Sequence, residues 1–136
     1  MIFPPPMIPL LKRHPYLLGF CVLTAAFSAP GQTYFISLYV PSIREELLLS
    51  RSETAALYSG ATIVASALIP LIGRLLDRFP PVRISSVMGL GVAAGCAVLG
   101  FSQGGATVFL AFCLLRLFGQ SGMSITAVTT AARPAP

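Results

Sequence analysis

Arg116 lies within an otherwise uncharged apolar run from Ala106 to Ala132. Read as a helix, roughly ten residues from Ala106 rise about 15 Å, which is half of a ~30 Å hydrocarbon layer. A charge at that depth costs about 2.5 kcal/mol or more, and such residues face a bundle interior or a water-filled cavity. Gln120, one turn on, shares the face of Arg116 and can exchange a hydrogen bond with it. The four acidic residues, Glu45, Glu46, Glu53 and Asp77, all fall outside the apolar runs. The arginine thus serves either as a cationic contact for an anionic substrate or coupling group, or as a structural group bonded to backbone carbonyls or a partner chain.

Other polar residues sit where a plain membrane anchor needs none. The first apolar run carries Ser28, Pro30, Gly31, Gln32 and Tyr34 in its middle. Pro30 removes a backbone donor, so a bend is expected there. Gln32 and Tyr34 point to different helical faces, so at most one need face a cavity; interhelical hydrogen bonding is the other use. In the second run Tyr58, Thr62 and Ser66 follow at steps of four and make one polar stripe, which either lines a pathway or joins neighbouring helices. The third run has Gly91 and Gly95 as GxxxG, with Gly89 four residues after Ser85. Small residues at that spacing let helices approach closely.

The elements that position these side chains follow from composition. Only 10% of the 136 residues are charged, 55% are hydrophobic, and the mean hydropathy is +0.83. A soluble domain carries about 25% charged residues, so a soluble globular enzyme is excluded. Four runs are long enough to cross a bilayer, and without water only helices can do so. The expected fold is an all-α integral membrane protein with a lead-in over 1–14, a four-helix region over 15–133 and an end segment over 134–136. Its approximate helices are 16–41, 52–76, 84–101 and 106–132. Ser50 and Glu53 fit a capping box at the start of the second helix. A signal peptide over the first run is disfavoured, because Pro30 closely follows the candidate cleavage site at Ala26–Ser28 and the apolar stretch is too long.

Orientation follows from the short connections. Lys12, Arg13, Arg74, Arg78, Arg83 and Arg133 fall on one side, whereas Arg44 and Arg51 on the other are accompanied by three glutamates. The positive-inside rule places both termini in the cytoplasm, in a multi-pass cell membrane protein, a bacterial inner membrane being the expected location. The net charge of +5 is scattered rather than clustered, so no nucleic-acid partner is expected. Cys21, Cys96 and Cys113 lack metal-ligand spacing, and no metal or cofactor is expected.

The connection Gly73-Arg-Leu-Leu-Asp77-Arg78-Phe-Pro80-Pro81-Val-Arg83 resembles the G-x-x-x-D-R-x-G-R-[KR] loop of the major facilitator superfamily of secondary transporters. Gly73, Asp77 and Arg78 match in spacing. Pro80 and Pro81 replace the second glycine and the first basic residue, and Arg83 comes late. Arg116-Leu-Phe-Gly119-Gln120-Ser-Gly122 is similar to the R-x-x-G-Q-x-G form that the family carries in its fourth helix. The resemblance implies alternating access to a small solute, with Asp77 as a cytoplasmic gate contact. It also associates Arg116, Gly119 and Gly122 with proton coupling and close helix packing, and lines the pathway with the first and fourth helices.

Members of that family have twelve helices in two bundles built from three-helix repeats, with the solute site between the bundles. Four helices therefore imply the N-terminal portion of such a fold, inactive alone and requiring further C-terminal helices or a partner chain. Expected partners are the lipid bilayer, a small solute such as an organic anion, and protons or another coupling ion. Two alternatives remain. One is a non-transporting four-helix membrane protein that packs onto a partner through Gly91 and Gly95. The other is a small dimeric multidrug transporter, which would need a membrane-embedded glutamate in the first helix. An enzyme is not expected, since His14 is the only histidine and no nucleophile has a nearby base.

Overall fold

The computed structural model describes residues 15–132. The lead-in over 1–14, the basic residues Lys12, Arg13 and Arg133, and the end segment over 134–136 lie outside the described residues. The chain forms α1 (Pro15–Phe27), a 3₁₀ turn (Ala29–Gly31), α2 (Thr33–Leu47), α3 (Arg51–Arg78), α4 (Pro81–Gly100) and α5 (Gly105–Ala132). By length and composition α3, α4 and α5 can each cross a membrane.

The first span departs from the continuous helix expected over 16–41. It is two helices of 13 and 15 residues separated at Ser28–Gln32. Pro30 followed directly by Gly31 favours the break, because Pro30 has no N–H, its ring crowds the carbonyl a turn earlier, and Gly31 adds backbone freedom; Pro41 and Pro70, without a glycine beside them, lie inside α2 and α3. Two short-range bonds close the turn, Gly31 N–H to the Ser28 carbonyl and Gln32 N–H to the Ala29 carbonyl, both at 3.0 Å. Ser28 donates its hydroxyl to the Ala25 carbonyl at 2.6 Å, and so satisfies an orphan acceptor at the end of α1.

The second span begins at a complete capping box. The Ser50 hydroxyl accepts from the Glu53 N–H at 3.2 Å, and the Glu53 carboxylate accepts from the Ser50 N–H at 2.8 Å. The α2–α3 connection turns through Leu48, held in the left-handed region at φ 52°.

The fourth span, α5, is the centre of the bundle. Forty-four per cent of its most apolar stretch is buried inside the bundle, against 17% for α3 and 22% for α4. Its buried residues, from Val108 through Phe112, Leu115, Gly119, Met123 and Ala127, recur every three or four residues. The first part of α5 packs against α3 and α4, and its last part packs against α1. α3 turns Ala61, Ala65, Ile72 and Leu76 inward, and α4 turns Ile84, Met88 and Val92 inward. Outward faces are apolar as well, with Leu38, Ile63 and Leu90 each at least 70% exposed, as a bilayer solvent requires.

Between Leu115 and Met123, α5 widens into π-helical turns. Gly31 sits against this segment. A Cβ on Gly31 would fall 2.6 Å from the Gln120 nitrogen and 2.8 Å from the Gly119 Cα, and would also strike the Leu115 carbonyl oxygen. Leu115 and Gln120 carry the two groups that an i→i+5 bond joins. The 3₁₀ turn thus lies directly on the backbone of the widened segment, with glycine on both sides.

Gly31→Ala and Gly119→Ala should each lower stability by about 1–3 kcal/mol, the cost of overpacking against backbone that cannot move aside. Gly89→Ala should not destabilise and should add about 0.5–1 kcal/mol, since a Cβ there would meet nothing within 4 Å and alanine favours the helix interior. Thermal unfolding of the detergent-solubilised variants, followed by size-exclusion chromatography after heating, checks both.

Candidate functional site around Arg116

Arg116 enters the bundle from the widened segment of α5 and is 8% exposed. Its Nη1 donates to the Thr33 hydroxyl at 3.1 Å and to the Gln120 side-chain oxygen. The guanidinium carbon lies 4.8 Å from the centroid of the Tyr58 ring, a cation–π distance. Tyr58 in turn donates its hydroxyl to Thr33 at 2.9 Å, and its ring meets Phe112 edge-on at 5.7 Å. Residues from α2, α3 and α5 therefore converge on a single cation.

The arrangement leaves donors over. An arginine has five N–H donors, and among the described residues Nη1 alone finds acceptors. No described carboxylate forms an ion pair with the group. Nη2 and Nε are the edge that a carboxylate or phosphate takes bidentately. Chemically, the site can hold an anion or release it. The residues shown provide neither a nucleophile with an adjacent base nor, among the described residues, a group of metal-ligating side chains.

A second polar bridge lies beside the first. Gln32 donates to Ser124 at 3.2 Å and to Ser28 at 3.3 Å, which ties the interrupted span to the last part of α5. Tyr34, on the other face, is 64% exposed and stands apart from both clusters. The stripe on α3 divides in the same way, because only Tyr58 reaches Arg116. The Thr62 hydroxyl donates to the Tyr58 carbonyl at 2.9 Å and the Ser66 hydroxyl to the Thr62 carbonyl at 2.8 Å. Both bond to their own helix, the ordinary fate of hydroxyls that point along a helix without a partner across it.

The glycines also separate by geometry. Gly91 receives the Phe118 ring, and Gly95 receives Leu115 with 3.0 Å between its notional Cβ and that side chain. Gly122 has the Met88 sulfur and the Leu117 carbonyl against it, the latter at 3.1 Å. Gly89 lies on an open cleft between α1 and α4 and makes no close approach, because the α5 side chains meet α4 on the Gly91 and Gly95 side. Gly73, Asp77 and Arg78 close the end of α3. Asp77 and Arg78 are exposed there, and Gly73 has open space around it.

Thr33 and Ser124 did not stand out in the sequence, and Gly31 stood out only as part of a bend. Thr33 follows Gln32 and is one more threonine in an apolar run; only the break in the helix turns it toward Arg116. The signal for Gly31 was its pairing with Pro30, which marks a bend without telling what fits into it.

The family model of the Major Facilitator Superfamily matches residues 3–136. The chain belongs to the major facilitator superfamily. Comparison with curated proteins and with solved structures returned no match. As a major facilitator protein it is a membrane protein of a transporter family whose members act on small solutes within a lipid bilayer. The matched region takes in the whole Arg116 cluster, the end of α3 and the α3–α4 connection.

Thr33→Val should destabilise the protein by about 1–3 kcal/mol, since it leaves Arg116 and the Tyr58 hydroxyl short of an acceptor. Tyr58→Phe should cost roughly 1 kcal/mol, because the ring remains over the guanidinium, and Tyr58→Ala should cost more than either. Unfolding midpoints of the three purified variants order these effects.

Proposed function

We propose that this chain works as the N-terminal portion of a secondary transporter that moves a small organic anion by alternating access. One observation carries the reading. Among the described residues, a guanidinium 8% exposed in the bundle is held by neutral partners alone, with donors left over. Burying an unpaired charge is costly, and a purely structural arginine would more economically have its fork filled by protein carboxylates or carbonyls. An anionic solute, or a coupling group that alternates with it, supplies the missing charge once per cycle.

Gln120, Tyr58 and Thr33 orient the guanidinium, and Gln32 couples the interrupted span to α5. Tyr34, Thr62 and Ser66 belong to this pathway only in a state where their helices rotate toward it. Gly73, Asp77 and Arg78 act as the gate contact at the cytoplasmic end, by the family motif that they match. Both termini face the cytoplasm on this reading, in a bacterial inner membrane, and protons are the coupling ion. The non-transporting alternative draws less support. The Gly91 and Gly95 surface that it reserves for a partner is already filled by Phe118 and Leu115 of the same chain.

Uptake tests the proposal. Membrane vesicles carrying the protein together with the C-terminal helices that complete the two-bundle fold are screened with radiolabelled mono- and dicarboxylates and inorganic phosphate under an imposed proton gradient. Arg116→Gln should reduce uptake of the responsive solute to background. Arg116→Lys should reduce it at least tenfold, since an ammonium cannot reproduce the planar fork. Asp77→Asn should slow turnover while leaving the amount of inserted protein unchanged. Undiminished uptake by Arg116→Gln would overturn the assignment.

A further inference from the structure

A cleft of about 340 Å³ opens between α2 and α3 at the end of the bundle that carries their connection. Its walls include Arg44, Arg51, Ser37 and Thr54, and its far end includes Thr33 and Tyr58. Those last two residues are the same side chains that hold Arg116. Arg51 stands two turns above Tyr58 on α3, about 10 Å, and Arg44 three turns from Thr33 on α2, about 16 Å. The cleft therefore leads from two arginines at its mouth to the layer that covers a third.

The charge of this cleft is one-sided. Its lining contains two guanidiniums and no carboxylate. None of the glutamates of the same region lines the cleft. Glu53 is bound to the Ser50 N–H in the capping box, Glu46 lines a different groove between α2 and α4, and Glu45 lies in a smaller adjoining hollow whose walls it shares with Arg44. Among the described residues neither Arg44 nor Arg51 forms an ion pair. The Nε of Arg44 is closed to solvent and has no hydrogen-bond partner, so an anion reaches it once the side chain turns into the cleft.

We propose that Arg44 and Arg51 form an outer binding station for the carboxylate or phosphate group of a free small anion, which then passes Tyr58 and Thr33 to reach Arg116. The proposal rests on the transport reading above and adds to it the site of first capture. Two cations in a narrow cleft with low-dielectric walls raise the local concentration of anions and their rate of arrival by tenfold or more. Arg51 and Arg44 thus select by charge before the solute meets the inner site. A carboxylate or phosphate seated there draws the Arg44 side chain into the cleft, where Nε and one Nη take it in bidentate geometry.

The test measures the cleft directly and does not require the natural solute. Cys21, Cys96 and Cys113 are replaced by alanine, and Ala55→Cys or, on the opposite wall, Ser37→Cys provides one reactive thiol inside the cleft. The protein is reconstituted in phosphatidylcholine vesicles and treated with an anionic (sulfonatoethyl) or a cationic (trimethylammonioethyl) methanethiosulfonate. The anionic reagent should react faster, and Arg44→Gln with Arg51→Gln should lower the anionic-to-cationic rate ratio roughly tenfold. Succinate or inorganic phosphate should protect the thiol in a manner that the double substitution abolishes. An unchanged ratio at both thiol positions would overturn the proposal. Protection that appears only when phosphatidylglycerol is added to the vesicles would also overturn it, by assigning the cleft to a lipid headgroup. Arg116→Gln separates this inference from the one it rests on. Uptake that survives Arg116→Gln defeats the transport reading of the inner site and leaves the outer station standing. A rate ratio indifferent to Arg44 and Arg51 does the reverse.

Discussion

The approach of Gly31 to Gly119 sets the rest of the bundle. Two backbones meet there with no side chain between them; a notional Cβ on Gly119 lies 2.8 Å from the Gly31 Cα and 3.0 Å from its nitrogen. In a bilayer, where lipid is as apolar as leucine, close backbone contact and shared hydrogen bonds replace the hydrophobic drive for helix association. From this crossing Gln32 reaches Ser124 and, one residue later, Thr33 reaches Arg116. A wider crossing would leave both hydrogen bonds unmade and the guanidinium with Gln120 as its only bonded neighbour.

The break in the first span and the widened turns of α5 belong to the same contact. Pro30 prevents a regular helix through Ser28–Gln32, so the backbone there can fold into a compact 3₁₀ turn rather than a helical cylinder. The π-helical turns across Leu115–Met123 present a matching recess. Irregular backbone at membrane depth is tolerated where protein covers it, and here each irregular segment covers the other. Local departures from ideal helix of this kind collect at functional sites, and Arg116 lies within the widened turns.

Much of this was legible in the sequence, and the limits have physical causes. The three membrane-length helices α3, α4 and α5, the bend at Pro30, the capping box at Ser50 and the shared face of Arg116 and Gln120 all follow from rules that act over a few residues. Family membership was legible from two short motifs, Gly73–Arg78 and Arg116–Gly122, and the family match extends over both. What could not be read is which face of one helix meets which face of another. The Tyr58, Thr62 and Ser66 stripe looks uniform in sequence, yet only Tyr58 stands opposite a partner, while the other two hydroxyls return to their own backbone. The same holds for Gly89 against Gly91 and Gly95. Spacing identifies small residues, but only the position of Phe118 and Leu115 decides which of them are occupied. The π-helical turns have no periodic signature of their own, since Arg116 and Gln120 share a face at ordinary α-helical spacing.

The interrupted first span also changes how the bundle can transmit force. An unbroken helix is a stiff rod, because bending it means lengthening several ladder bonds at once. Between α1 and α2 that ladder is absent; the turn is held by two bonds of its own and by contact with α5. α1 lies along the last part of α5, while α2 has only slight contact with α3. Torque applied to α2 therefore reaches α1 only through this short turn. The span behaves as two levers sharing one pivot, and its two ends need not report the same state of the molecule.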